Sequence, residues 1–555
     1  MKTFSTIDYL VFGFYFIAVS AYGLWVYRRK KQQAVSGSHD FFLAEGSLTW
    51  WAIGASLIAS NISAEQFIGA SGQGFQVGLA VAAYEWIAAI ALIIVAVWFI
   101  PVYLKNKIFT MPQFLETRYN ATVSLIMAIF WLFLYVFVNL TSILYLGALA
   151  INNMAGGEYF HSIIIALAVF ALLIALGGMK VIGYTDVIQV LVLVTGGLAT
   201  TYIAVKMAGG FGHMLSDAPE HFKMMLPKPG PHASQQDIDK YLLLPGIAMY
   251  FAGQWIVNLN YWGCNQYITQ RALGADLKTA RTGILFAGLM KLAMPLIVIL
   301  PGIAAYVLYK NGGLQHEMES AGHLNPDNAY SAVLGFLPNG LKGLSIAALT
   351  AAIVASLAGK ANSIATIFTM DIYKKYIKKE APEKSMVLIG KITIAAALVL
   401  SILLTWKDLL GIGGEGGFTF IQKYTGFISP GIFAIFILGF FWKRTSAAAA
   451  ITGILSGFLL SVLFNNYAPQ LFGNDTWLYT AFPNGHGGYE IPFLICMGLS
   501  FGFTLLLMIA VSLFGPKISA KAFTLERAMF YVSPGVLSLI VLTLLLFTLL
   551  YVRFW

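Results

Sequence analysis

Charge is what this sequence has least of. Of 555 residues only 10% are Asp, Glu, Lys or Arg, whereas 59% are hydrophobic, and the mean hydropathy is +0.77. Soluble globular chains carry roughly a quarter charged residues, so a soluble enzyme or binding domain is excluded. Long polar stretches are also missing: those near 208–241, 311–339 and 466–489 run to about 24 to 34 residues, too short for a folded aqueous module. Cysteine is nearly absent. Cys264 and Cys496 both lie in apolar surroundings, so no disulfide framework is implied. The eight histidines fall in loops or at span ends and none belongs to a His-Glu-x-x-His run, which argues against a metal hydrolase. The net charge of +10 is no nucleic-acid footprint, because no basic stretch is interleaved with base-stacking aromatics on a soluble surface.

What the sequence does have is apolar runs long enough to cross a bilayer. At about 35 to 40 residues per span with its loop, the length holds roughly 14 of them, and such runs recur from 8–27 to 531–552. The first is a retained span rather than a cleaved signal, since it runs into Arg28-Arg29-Lys30-Lys31 with no small-residue cleavage site. An even number of spans puts both termini on one side. Most Lys and Arg, including that cluster, Arg118, Arg271, Lys374-Lys375 and Lys378-Lys379, are assigned to loops on the opposite side. The positive-inside rule then places both termini outside a cell membrane.

Two spans are interrupted by small and polar residues, at Ala59–Gln66 and at Asn258–Gln266. They are the second and seventh spans, five apart and of opposite orientation. Matched interruptions in two halves are the sequence sign of an inverted-repeat transporter whose unwound backbone lines a midplane site. A channel would need a lined pore with ring-like repetition, and one polar cluster in a single chain does not suggest it.

Ionisable groups within spans are costly and mark function. Here they are Glu65, Glu85, Asp186, Lys291, Lys360 and Asp371, joined by the amides Asn61, Gln66, Asn258, Asn265 and Gln422. Carboxylates and amides can engage neighbouring hydroxyls of a sugar in paired hydrogen bonds, while Tyr84, Tyr261 and Phe418 can cover the apolar face of its ring. A structural ion pair between Glu85 and Lys291 is the competing reading. A cation site needs no carboxylate cage. Carbonyls freed at the break from Ala59 to Ile62, with those of Ala351–Ser356 and the Ser356 hydroxyl, offer about five oxygens to an alkali ion.

Three longer runs carry a resemblance: Ser56–Gly69 (SLIASNISAEQFIG), Gly177–Gln189 (GGMKVIGYTDVIQ) and Asn362–Tyr373 (NSIATIFTMDIY). In this order they resemble the sodium/solute symporter family, and within it the sodium/glucose and sodium/galactose branch. The resemblance covers nearly the whole chain. It implies an all-α membrane protein of about 14 transmembrane helices, with a five-plus-five inverted-repeat core of the leucine-transporter type and discontinuous helices. Residues 1–49 would form the first helix and a cytoplasmic loop, 50–207 the first repeat, 208–442 an extracellular loop and the second repeat, and 443–555 three further helices. It implies no enzyme but a symporter importing a neutral monosaccharide such as galactose or glucose by alternating access, with Na⁺ as coupling ion. A proton-coupled or uncoupled sugar transporter and a membrane sugar sensor are the alternatives. The expected partners are a small-molecule sugar and the lipid bilayer, and no nucleic acid.

Residue by residue, the family's sugar-binding positions fall on Gln66, Glu85, Asn258, Lys291 and Gln422, with Asn61 beside them. Its inner aromatic gate falls on Tyr261 and its outer gate on Tyr84 and Phe418. The sodium positions fall on the carbonyls of Ala59, Ile62 and Ala352 and the hydroxyl of Ser356, and Asp186 matches an acidic residue near the ion's exit path. The chain departs from its bacterial galactose relative at Ala70 and Ala88 on the sugar side, at Ala355 where a second sodium-site serine stands, and at Lys360 in place of an apolar residue. Three environments are open to Lys360: snorkelling to the cytoplasmic interface, burial as a titrating ammonium, or pairing with Asp186.

Overall fold

In a computed structural model, residues 5–32, 41–42, 48–154, 157–251, 253–320, 323–412, 422 and 425–555 are described. The chain is helical along nearly all of them. In order, the main helices are α1 (Thr6–Gln32), α2 (Trp50–Asn61), α3 (Glu65–Ala70), α4 (Ser71–Gln76), α5 (Leu79–Lys105), α6 (Ala121–Asn152), α7 (Phe160–Ala175) and α8 (Met179–Met207). There follow α9 (Gly253–Gly263), α10 (Gln266–Leu273), α11 (Leu277–Ala293), α12 (Pro295–Lys310), α13 (Leu341–Ile377), α14 (Glu383–Thr405), α15 (Ser429–Phe441), α16 (Ala447–Phe472), α17 (Phe493–Leu513) and α18 (Pro534–Phe554). Strand is confined, among the described residues, to two hairpins of two-residue strands, Glu319–Ser320 with His323–Leu324 and Phe482–Pro483 with Tyr489–Glu490.

Among the described residues nine helices are long and apolar enough to cross a bilayer, and up to eleven if each of two bent pairs counts as one span. That is fewer than the fourteen apolar runs read from the sequence. The difference has a physical source: the run at 50–72 is split at Ile62 into short helices, and α7 and α15 are apolar but short. The all-α membrane fold itself is the one expected.

The chain divides into two compact units. The first comprises residues 1–79, 127–222 and 266–421, and α13 runs through its middle, packed on α1, α2, α7, α8, α10 and α14. Helices in a bilayer gain little from burying apolar surface against one another, so close backbone approach and hydrogen bonds take over. On α8 a Cβ at Gly196 would collide with Ala348 and the Leu344 carbonyl of α13, and the Thr200 and Ser345 hydroxyls meet across the same seam at 2.7 Å. The buried Asp8 carboxylate of α1 accepts from the N–H groups of Gly340 (2.8 Å) and Gly343 (2.9 Å), so a negative side chain satisfies the positive start of α13.

The second unit comprises residues 80–126, 223–265 and 422–555. Its core is α15, α16 and α17, with α9 against α5, α15 and α17. Gly453 and Gly457 of α16 form a small-x-x-x-small pair, and a Cβ on Gly457 would run into the backbone of Gly431 on α15. Arg118, assigned to a loop from sequence, is instead 1% exposed. Its guanidinium donates to the carbonyls of Gly439 (2.8 Å), Trp442 (3.0 Å) and Thr445 (3.0 Å), capping the C-terminal end of α15.

Asp276 starts α11. Its carboxylate accepts from the backbone N–H of Lys278 (3.0 Å) and Thr279 (3.1 Å), and the Thr279 hydroxyl and N–H hold its carboxyl below the usual range. A depressed carboxyl contributes stability above its unfolded value and loses it as pH falls through the folded one. Asp276→Ala is therefore expected to cost about 1 kcal/mol near neutrality, and thermal unfolding in detergent should show that gap closing in acid.

Candidate functional site

The first interruption is a true break. Helix α2 ends at Asn61 because Ile62 is extended (φ −83°, ψ 103°), its N–H still bonded to the Ile58 carbonyl at 2.9 Å. The chain winds again from Ala64 and then runs as a π-helix through α3. π-Helical turns widen the backbone and tend to sit at functional places. The second interruption lies at the far end of the expected segment: Asn258–Gly263 are helical, and the break falls at Cys264 and Asn265.

In the first unit the break is buried, with Ala59, Ile62 and Ala352 each 1% exposed and Ser356 fully buried. A carbonyl at such a break must find a donor other than water. The Ser60 carbonyl takes two, the Ser356 hydroxyl of α13 at 2.9 Å and the Tyr267 hydroxyl of α10. Of the sequence-predicted oxygen set, Ser356 is thus joined to the residue next to Ala59, through Ser60, with Tyr267 as a second donor there. A cluster of backbone carbonyls and one hydroxyl suits a hard monovalent cation stripped of water. Among the described residues no group of three or more His, Cys, Asp and Glu could hold a metal.

Two charged pairs flank it. The Ser56 hydroxyl donates to Asp186 on α8 and accepts from Arg271 Nε at 2.8 Å, while Arg271 Nη2 stands 4.0 Å from Asp186 Oδ2. Arg271 also donates to the Tyr267 carbonyl and lies over the Tyr267 ring, its Cζ 4.8 Å from the centroid. Lys360 Nζ is 5.2 Å from the same centroid and 4.0 Å from Glu65 Oε1. Lys360 is 5% exposed, so it does not snorkel to an interface, and the cation beside Asp186 is Arg271 rather than Lys360.

Among the expected sugar positions, Asn61 and Lys291 are brought together, with the ammonium donating to Asn61 Oδ1, and Gln66 is half-buried one turn past the break. In the second unit Glu85 and Asn258 are buried (3% and 4% exposed), and Asn258 Nδ2 donates to the Gln254 carbonyl at 2.9 Å. Tyr84 and Gln422 are hydrogen-bonded to each other, and Tyr261 is half-buried with its ring edge-on to Trp262 at 5.2 Å. Phe418 lies outside the described residues.

Sequence reasoning missed Tyr267 and Arg271, and had counted Arg271 as a loop charge. A signal was present: four residues apart just after the second break, a Tyr and an Arg on one helix face can place guanidinium over ring. Removing one partner of a buried pair leaves the other charge uncompensated. Arg271→Met is expected to cost about 3 to 5 kcal/mol, and Arg271→Met with Asp186→Asn should recover most of it in thermal unfolding. Simple additivity of the two losses would mean that the two groups are not coupled.

Comparison with known proteins shows the family. The family model "Sodium:solute symporter family" matches residues 41–457. A sodium/glucose cotransporter of Vibrio parahaemolyticus is 46% identical over 494 residues, covering 86% of this chain and 88% of that one. A sodium/myo-inositol cotransporter 2 of Mus musculus is 33% identical over 482 residues, covering 83% and 70%. The solved structure of a Na⁺-coupled sialic acid symporter in a substrate-bound outward-open state superposes with a TM-score of 0.76 at 20% identity, covering 93% of this chain and 99% of that one, and so shares the fold. The chain therefore belongs to the sodium:solute symporter family, and is a multi-pass membrane transporter, not an enzyme, with sodium as its coupling ion.

Proposed function

We propose that this symporter imports a neutral monosaccharide of the galactose or glucose type together with sodium, by alternating access. The observation that carries the proposal is the break at Ile62, whose neighbouring carbonyl is met by the Ser356 hydroxyl while Asn61, on the last turn before it, is held by Lys291. Ion ligands and a solute-binding amide thus share one helix end, so sodium binding there biases the geometry offered to the solute. Sodium is held by the carbonyls of Ala59, Ile62 and Ala352 and the hydroxyl of Ser356. The sugar is held by Asn61, Gln66, Glu85, Asn258, Lys291 and Gln422, with Tyr261 as inner gate and Tyr84 and Phe418 as outer gate. Asp186 and Lys360 belong to the ion's surroundings on its way in.

The similarity to the Vibrio sodium/glucose cotransporter, at 46% identity, supports a hexose as the solute. The mouse relative's name adds myo-inositol, a ring of hydroxyls of similar size, as the second solute to assay. In this reading residues 50–207 are the first repeat, 208–442 an extracellular loop and the second repeat, and 1–49 and 443–555 the flanking segments, and both termini face outward from the cell membrane.

Uptake of labelled galactose, glucose and myo-inositol into proteoliposomes with and without a sodium gradient tests the proposal. Saturable uptake of none of them would overturn it. Glu85→Ala and Gln422→Ala each remove hydrogen bonds worth about 1 to 3 kcal/mol, or roughly ten- to a hundredfold in apparent affinity, and normal uptake in both would remove them from the site. Tyr261→Phe should keep more transport than Tyr261→Ala, because ring cover is the proposed contribution. Ser356→Ala should raise the sodium concentration needed for half-maximal uptake.

A further inference from the structure

The Asn258 side chain is held in one orientation by the residue a turn before it on α9. Its Nδ2 donates to the Gln254 backbone carbonyl at 2.9 Å and to Gln254 Oε1 at 3.3 Å. A carbonyl oxygen can only accept, so the atom of the Asn258 amide turned toward it is the nitrogen, and the two protons of that NH2 have two acceptors. Gln254 is fully buried and Asn258 is 4% exposed. The Gln254 amide is itself aimed: its Nε2 points at the sulfur of the buried Met249, 4.0 Å away, which leaves Oε1 as the atom facing Asn258. The start of α9 is packed tight beneath both, because a Cβ on Gly253 would collide with the Leu494 backbone of α17. Among the described residues no group donates to Asn258 Oδ1, so that oxygen is the polar atom left for a ligand.

We infer that Gln254 is a positioning residue that makes Asn258 a pure acceptor, so that the solute must bring a donating hydroxyl to it. The inference rests on the place of Asn258 in the sugar site proposed above. A free asparagine amide offers both polarities, and would take a hydroxyl, an ether oxygen or a keto oxygen alike. With both protons of the NH2 engaged, only a donor is accepted. An ether, keto or fluorinated carbon at that place sets lone pair against lone pair. A buried acceptor left unpaired costs more than a hydrogen bond gains, so the discrimination comes from rejection of the wrong ring. The backbone carbonyl alone would occupy one N–H and leave the other free to reach the solute. Gln254 Oε1 takes that second proton, which is why a glutamine rather than an apolar residue matters here. Because the amide is ordered before the solute arrives, little side-chain freedom is lost on binding.

Uptake of labelled galactose or glucose into proteoliposomes, competed by the monodeoxy and monodeoxyfluoro derivatives of that sugar one hydroxyl at a time, reads the polarity, since fluorine never donates. Asn258→Ala identifies the hydroxyl concerned, as the one whose removal no longer lowers affinity in the variant. At that hydroxyl the wild type is expected to take both derivatives about tenfold more weakly than the parent sugar. Gln254→Met frees one N–H of Asn258, so the fluoro derivative should gain on the deoxy one by roughly threefold, with the sodium dependence unchanged. Gln254→Glu keeps an oxygen facing the NH2 and should preserve the wild-type pattern. Equal weakening of every derivative in both Gln254 variants would mean a merely structural role and overturn the inference, as would a Gln254→Met pattern identical to wild type. Should Gln254→Met not yield a folded protein, the wild-type series decides: a fluoro derivative as good as the parent sugar at the identified hydroxyl means that the amide donates, and only the acceptor assignment falls while the sugar site stands. If Asn258→Ala handles every derivative as wild type does, Asn258 is not at the sugar, and that part of the proposed site falls together with this inference.

Discussion

A peptide carbonyl inside a membrane has no water to turn to, and at the end of α2 that constraint is unavoidable. The helix stops at Asn61 where Ile62 becomes extended, and the Ser60 carbonyl collects hydroxyls from α10 and α13. Both donors come from elements far away in sequence, so the break fixes tertiary structure as well as chemistry: α10 and α13 must approach α2 closely for either hydrogen bond to exist. Much of the surrounding arrangement can be understood as making that approach affordable. Gly359 lets the Arg271 guanidinium and the Tyr267 ring lie on the backbone of α13, and Gly196 lets α8 bring Asp186 to the same region.

Charge then follows from the same crowding. Once Tyr267 is pinned at the break, Arg271 and Lys360 both lie over its ring, and each cation needs an anion nearby to be tolerated in a low-dielectric interior. Asp186 and Glu65 supply them, and Ser56 completes the first pair by donating to the carboxylate while accepting from the guanidinium. The separations of 4.0 Å describe loose pairs rather than tight forks. Loose pairs around one aromatic ring can shift partner distances without breaking a bidentate contact, which would suit the alternating access proposed above.

The membrane class, the first break and the oxygen-rich stretch of α13 were legible because they depend on local properties: hydropathy, a run of small and polar residues, and a serine at a fixed register. The family motifs added the roles proposed for residues that share no local signal, such as Glu85 and Gln422. Three things were not legible. Span number could not be counted from apolar runs, because a broken helix and two short ones do not meet a length criterion. The burial of Arg118 and Arg271 was hidden because hydropathy treats every arginine as a loop charge, whereas one caps the carbonyls of α15 and the other pairs with Asp186. The partner of Lys360 was hidden for a related reason: Glu65 and Lys360 are distant in sequence, and only the return of the chain after the break brings the carboxylate to α13.

In the proposed cycle, Ser356 is the residue at which these constraints and the proposed ion site meet. A hydroxyl has one proton to give and two lone pairs to offer, so its donation to the Ser60 carbonyl leaves it able to act as an oxygen ligand at the same time. The hydrogen bond aims those lone pairs by fixing the hydroxyl rotor. The site is thereby ordered before the ion arrives, and little side-chain freedom remains to be lost on binding. What an ion at Ser356 would disturb is small, because the Ser60 carbonyl keeps the Tyr267 hydroxyl as a second donor if Ser356 turns to the ion. A break satisfied by two donors can therefore lend part of its polarity to a passing cation without leaving a buried carbonyl unpaired in either state, which is the condition for an ion site that binds and releases in every cycle.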